Sequence, residues 1–126
     1  MTIAGGEPLL RRDLAAIVRL FSERGLETQL TTHGFQASER ILSALAEAGL
    51  RTLTFSVDAH TRDGYREIRG VDKWDAMVKN LDAALALRAR TPGLSVESNT
   101  VLCRLNQGQA PAIFAESSGS TPSCAI

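Results

Sequence analysis

Leu14, Ile17, Val18 and Phe21 recur at i, i+3, i+4 and i+7, the spacing that lines one face of a helix. Asp13 stands where an N-cap is needed and Gly25 where the chain must stop, so the pattern predicts a helix over 13–24 with one buried stripe. Ile41, Leu42, Leu45 and Ala48 repeat the motif between Ser38 and Gly49, and Trp74, Met77, Val78, Leu81 and Leu85 form a longer stripe after Asp72 and before Pro92. Between these helices, β-branched and apolar residues gather at Thr28–Thr32, Thr52–Val57 and Ser95–Leu102, with a stub at Thr2–Ala4, and predict strands. A short helix is expected from about Thr61, with Asp58 as a candidate cap. Strand and helix alternate, and each crossover is long enough to carry the chain back to the same end of the sheet. An α/β fold with parallel strands and right-handed connections follows.

Composition changes this picture at one place. The 126 residues are 44% hydrophobic and 22% charged, the balance of an ordinary globular domain, with fourteen basic against fourteen acidic side chains. Zero formal charge offers no long-range field for nucleic acid or an anionic membrane, and the apolar runs fall well short of the roughly 20 residues that span a bilayer. No secretory leader is visible before Gly5, so a cytoplasmic chain is expected. From Gln107 to Ile126, however, twelve of twenty residues are Ala, Gly, Pro or Ser, and every Lys and Arg precedes Gln107. The reading is therefore a domain over 1–106 followed by a loose or aberrant tail over 107–126.

Parallel β/α architectures place ligands at the carboxyl ends of their strands. Just past the expected strands lie Gly5-Gly6-Glu7-Pro8, Thr31-Thr32-His33-Gly34, Ser56-Val57-Asp58 and Ser98-Asn99-Thr100, so small and polar residues converge on one rim. The same residues also suit ordinary turns and caps, and spacing alone leaves both readings open. His33, His60, Ser56 and Asp58 include the side-chain types of a hydrolase triad, but no Gly-x-Ser-x-Gly elbow is present. Arg11-Arg12 and Arg88-Ala89-Arg90 read as solvated helix faces.

These blocks carry a family resemblance. Gly5-Gly6-Glu7-Pro8 resembles the Gly-Gly-Glu-Pro motif of radical S-adenosylmethionine (SAM) enzymes, Thr31-Thr32-His33-Gly34 their Thr-Asn-Gly, and Ser56-Val57-Asp58-Ala59 their Ser-Leu-Asp-Gly. Ile68-Arg69-Gly70 is similar to the Ile-Arg-Gly that follows, and Asn99-Thr100-Val101 with Arg104-Leu105-Asn106 to the next strand and its exit. Four collinear blocks over about residues 2–106 are far more specific than one glycine pair.

The resemblance implies a partial parallel (β/α) barrel and a seat for SAM. Gly5, Gly6 and Glu7 would hold the amino group, Ser56 the ribose or carboxylate, and Arg69 the carboxylate through a two-point fork, with Asp58 and Asn99 on the rim. It also implies a 4Fe–4S cluster in the full-length enzyme, whose electron cleaves SAM to a radical that abstracts hydrogen from a peptide or small-molecule substrate. The three-cysteine loop that binds the cluster has no counterpart here, since Cys103 and Cys124 lack its spacing, and no metal-ligating residue is assigned. The chain is thus expected to be an inactive fragment, with an open sheet edge at Thr2–Ala4 prone to self-association. His33 and Ala59 depart from the family's Asn and Gly, which predicts altered turns at both loops. A non-catalytic α/β module binding a nucleotide or another anion through Gly5-Gly6 and the helix start at Asp13 is the alternative.

Overall fold

Apolar stripes at helical spacing need a surface to cover, and strands whose apolar residues alternate with polar ones supply it. In the computed structural model, which describes residues 1–117, this pairing builds a four-stranded sheet backed by helices. The strands are β1 (Thr2–Ile3), β2 (Gln29–Thr32), β3 (Thr52–Ser56) and β4 (Ser95–Asn99). Helices α1 (Leu14–Ser22), α2 (Glu39–Glu47), α3 (Arg62–Arg69) and α4 (Trp74–Arg90) connect them, and α5 (Ala110–Ser117) follows β4. Strand order is β1-β2-β3-β4 and every pairing is parallel.

Register divides the sheet into two unlike faces. Leu30 pairs with Leu53 and Leu53 with Val96, while Thr32 pairs with Phe55 and Phe55 with Ser98. Leu30, Leu53, Phe55 and Val96 are buried in one cluster with Leu14 and Val18 of α1, Leu42 and Leu45 of α2, and Met77, Ala84 and Leu87 of α4. Each leucine, valine, phenylalanine or methionine among them, taken from water, stabilises the fold by about 1.5–3 kcal/mol. The remaining strand positions fall on the opposite face, and all are polar: Thr2; Gln29 and Thr31; Thr52, Thr54 and Ser56; Ser95, Glu97 and Asn99. Sequential order with the helices gathered against one face is the arrangement of an open stretch of (β/α) barrel, as expected.

Three expectations differ from the structure. β4 ends at Asn99, not Leu102, because Val101 and Leu102 leave the sheet and stand exposed. Asp58 does not cap α3; Thr61 does, its hydroxyl accepting from Gly64 N at 3.2 Å. The segment after Asn106 is not loose throughout. Gln107–Gln109 form a 3₁₀ turn that leads into α5, where Ile113 is buried. The Gln109 carboxamide reaches the His60 amide at 3.4 Å, anchoring this turn to the loop after β3. Residues 118–126, the rest of the expected tail, lie outside the described residues.

Candidate functional site

All four strands deliver their carboxyl ends to one edge of the sheet. Gly5 and Gly6 follow β1 with φ of 97° and 49°, left-handed backbone that no residue other than glycine adopts among those described. A Cβ on either would meet nothing within 4 Å, so this turn presents bare backbone to open space.

Glu7 ties that turn to β2. Its Oε1 accepts from Leu9 N at 3.0 Å and from the Thr32 hydroxyl at 2.8 Å, and its Oε2 accepts from His33 N at 3.0 Å. The His33 Nε2 also lies 3.0 Å from Oε2. His33 Nδ1 accepts from Phe35 N at 3.3 Å, which places the ring proton on Nε2 and makes that contact a donation to Glu7. A carboxylate offers about four lone-pair positions, and here four protein donors take them while the side chain is only 5% exposed. The expected contact of this carboxylate with an ammonium therefore meets acceptors already in use. Histidine in place of the family's asparagine supplies one of those donors. The positive φ falls on Gly34, at 86°, and Thr32 Oγ1 accepts from its amide at 3.0 Å.

A second set of bonds joins the ends of β3 and β4. Ser56 and Asn99 are register partners, Ser56 half-buried and Asn99 exposed. Asp58 is buried, its Oδ1 accepting from Val101 N at 2.9 Å and its Oδ2 lying 2.6 Å from Arg69 Nη2. The same Arg69 nitrogen donates to Ser56 O at 3.3 Å, while Arg69 Nε is buried without a partner. Ala59 is fully buried and no described non-glycine residue has positive φ, so this loop closes without the left-handed turn a glycine would permit. Beside the ion pair lies Tyr65, fully buried, with a hydroxyl that has no partner. Burial pushes its pKa up to about 12, with Arg69 pulling it down and Asp58 raising it further.

The structure thus brings Gly5, Gly6, Glu7, Ser56, Asp58, Arg69 and Asn99 to one edge, with Arg69 and Asp58 paired to each other. Thr32, Thr100 and Asn106, which the sequence places in the strand-end blocks without assigning them a role, also build the site. Thr100 Oγ1 donates to Val57 O at 2.7 Å. Asn106, fully buried, donates through Nδ2 to Asp58 O at 2.9 Å and Val101 O at 2.8 Å and accepts from Cys103 N at 2.7 Å. A lone asparagine after a strand is the signal that could have found it, since its amide can bridge two loops at once. A cavity of about 420 Å³ lies elsewhere, lined by residues between Leu9 and Ala15 and between Arg40 and Leu45.

The profile of the Radical SAM superfamily matches residues 1–103. The chain belongs to this family. A GTP 3',8-cyclase of Chlorobaculum tepidum is 36% identical over 110 residues, which are 86% of this chain and 32% of that protein. A PqqA peptide cyclase of Xanthomonas oryzae pv. oryzae is 37% identical over 112 residues, 89% of this chain and 29% of that protein. The chain therefore spans about a third of the length of these radical SAM relatives. Among solved structures, a domain of pyruvate-formate lyase-activating enzyme from Bacteroides vulgatus superposes with a TM-score of 0.67 at 16% identity, covering 93% of this chain and 72% of that one. An archaeal TYW1 gives 0.68 at 21% identity, covering 94% of this chain and 38% of that one. Both likenesses establish the fold, a piece of a radical SAM core.

Radical SAM proteins use SAM and a 4Fe–4S cluster, and the two groups fare differently here. The exposed glycine turn after β1, at the same sheet edge as the polar ends of β3 and β4, offers backbone acceptors of the kind that the ammonium of SAM needs. Among the described residues no group of three His, Cys, Asp or Glu side chains could hold a metal ion, and Cys103 is a lone exposed thiol. The described residues do not fit the cluster.

Proposed function

We propose that this chain forms the SAM-holding part of a radical SAM enzyme that modifies a peptide or acts in cofactor biosynthesis. The observation that carries the reading is the parallel register, which gathers the polar ends of β2, β3 and β4 at the same edge as the turn of bare backbone that follows β1. The chemistry SAM supplies when bound is one-electron cleavage at its sulfonium centre. The residues of this chain bind and orient. Carbonyls of Gly5 and Gly6 accept from the ammonium, because a side chain at either would stand between backbone and ligand. Glu7 acts through the turn, holding it against Thr32 and His33. Ser56 and Asn99 offer a hydroxyl and a carboxamide to the ribose or carboxylate. Arg69 directs positive charge at the carboxylate from a position fixed by Asp58.

An exposed free thiol at Cys103 fits a reducing, cytoplasmic compartment. The outer edges of β1 and β4, unpaired within the sheet, support a tendency to self-associate. No described helix is long and apolar enough to cross a membrane.

Calorimetric titration of the chain with SAM and with ATP tests the reading. SAM is expected to bind more tightly, and Gly6→Ala to weaken it selectively. Tighter binding of ATP would overturn the proposal in favour of a nucleotide- or anion-binding module.

A further inference from the structure

The stripe that α4 buries is interrupted by one polar residue. Asn80 lies three residues after Met77 and four before Ala84, on the face that also carries Leu87, and all three of those neighbours are buried. Leucine would continue the stripe and is the better helix former, so packing alone does not account for an asparagine here. Its carboxamide nitrogen donates to Gly34 O at 2.7 Å and to Phe35 O at 3.1 Å, spending both protons on consecutive carbonyls of the loop after β2. Both partners are acceptors, which fixes the nitrogen as the atom that faces them. Gly34 O also accepts from Ala37 N at 3.2 Å. The loop is closely confined besides: a Cβ on Gly34 would lie 2.7 Å from the Phe55 ring and 3.6 Å from Met77 Cγ.

One peptide group links this grip to the rim. The peptide between Gly34 and Phe35 is planar, with its oxygen held by Asn80 and its N–H donating to His33 Nδ1 at 3.3 Å. Fixing the plane fixes the direction of that N–H, and an Nδ1 that accepts leaves the ring proton on Nε2, 3.0 Å from Glu7 Oε2. Resting on the reading above, we infer that Asn80 is a positioning residue for SAM: it sets the His33 tautomer, His33 holds Glu7, and Glu7 holds the turn whose carbonyls meet the ammonium. Without the two donors the peptide plane loses its anchor, Nδ1 loses its partner, and the ring carries its proton on either nitrogen. A proton on Nδ1 sets a bare Nε2 against a carboxylate, two acceptors facing each other with no hydrogen between them.

Asn80→Leu removes the donors while suiting the helix and its apolar stripe, and Asn80→Asp removes them at nearly constant volume. Imidazole ¹⁵N spectra of the labelled chain at about pH 9, above the ordinary histidine range, read the tautomer directly. The parent is expected to show His33 in the Nε2–H form, and both variants a mixture of the two forms. A parent His33 protonated on Nδ1 overturns the inference without recourse to any variant, and a tautomer that the variants leave unchanged overturns it as well. Calorimetric titration with SAM should show affinity falling about tenfold in each variant, the weight of one or two hydrogen bonds. In a Glu7→Gln background the same substitutions should cost less than about twofold, because the link they act through is already broken. An equal loss in both backgrounds is what general loosening of the fold would give, and it overturns the inference. Gly6→Ala separates the two levels. If it weakens SAM binding and Asn80→Leu does not, the inference fails alone; if the parent chain does not bind SAM, the underlying reading fails, whatever the tautomer.

Discussion

Removing the Glu7 carboxylate should do more damage than its place in a surface turn suggests. Glu7→Ala takes the shared acceptor from Leu9 N, His33 N, the Thr32 hydroxyl and the His33 ring at once. A hydrogen bond to a charged group contributes roughly 1.5–3 kcal/mol, but four bonds to one carboxylate are not additive and water can reach some of the orphaned donors. His33 is 23% exposed, so its ring recovers part of its loss. A net cost of about 3–5 kcal/mol is expected, a large share of the stability of a domain this size. Glu7→Gln is the sharper test, because it preserves volume and one acceptor oxygen. Oε1 can still serve Leu9 N and Thr32, but the amide nitrogen then faces two donors on His33, and the cost should be about 1–3 kcal/mol. Urea unfolding followed by fluorescence of Trp74, the one tryptophan, measures both. With a slope of about 1–3 kcal/mol/M, Glu7→Ala should lower the midpoint by ~1 M or more. A Glu7→Gln midpoint indistinguishable from the parent would refute the clamp, since the bonds to His33 would then contribute nothing.

Two further outcomes follow from the geometry. Gly34→Ala should cost about 2–4 kcal/mol, because its Cβ would lie 2.7 Å from two carbons of the buried Phe55 ring at a φ of 86°. Gly5→Ala, with open space around it, carries only the backbone penalty; the same unfolding curves check the ranking, and the reverse order would contradict it. Tyr65 is the sole tyrosine, so absorbance near 295 nm follows its ionisation directly. Its folded pKa of about 12 lies above the unfolded value near 10, so the unfolded chain loses the proton first and stability falls as pH rises from about 10 to 12. A midpoint in the native protein equal to that in concentrated urea would remove the basis for this.

Helices α1, α2 and α4 and the parallel order were readable because periodicity and crossover length are local properties of the chain. The four strand-end blocks were readable as a resemblance in the same way. What escaped was set by partners distant in sequence. Asp58 looked like a cap, yet Val101 and Arg69 claim its two oxygens, and the nearer Thr61 caps α3 instead. Glu7 also holds Thr32 and His33, a role visible only once the folded chain brings them to it. The segment after Asn106 looked loose because alanine, proline and glutamine carry little burial signal. One isoleucine, Ile113, and the Gln109 contact with His60 are features that composition averages away.

The division of the sheet into an apolar side and a polar side separates two kinds of selection. Exchanges among Gln29, Thr31, Ser95 or Glu97 leave the packed layer of Leu30, Leu53, Phe55 and Val96 untouched, so they alter recognition at little cost to folding. Such a scaffold lets chemical preference drift between lineages while its architecture stays put.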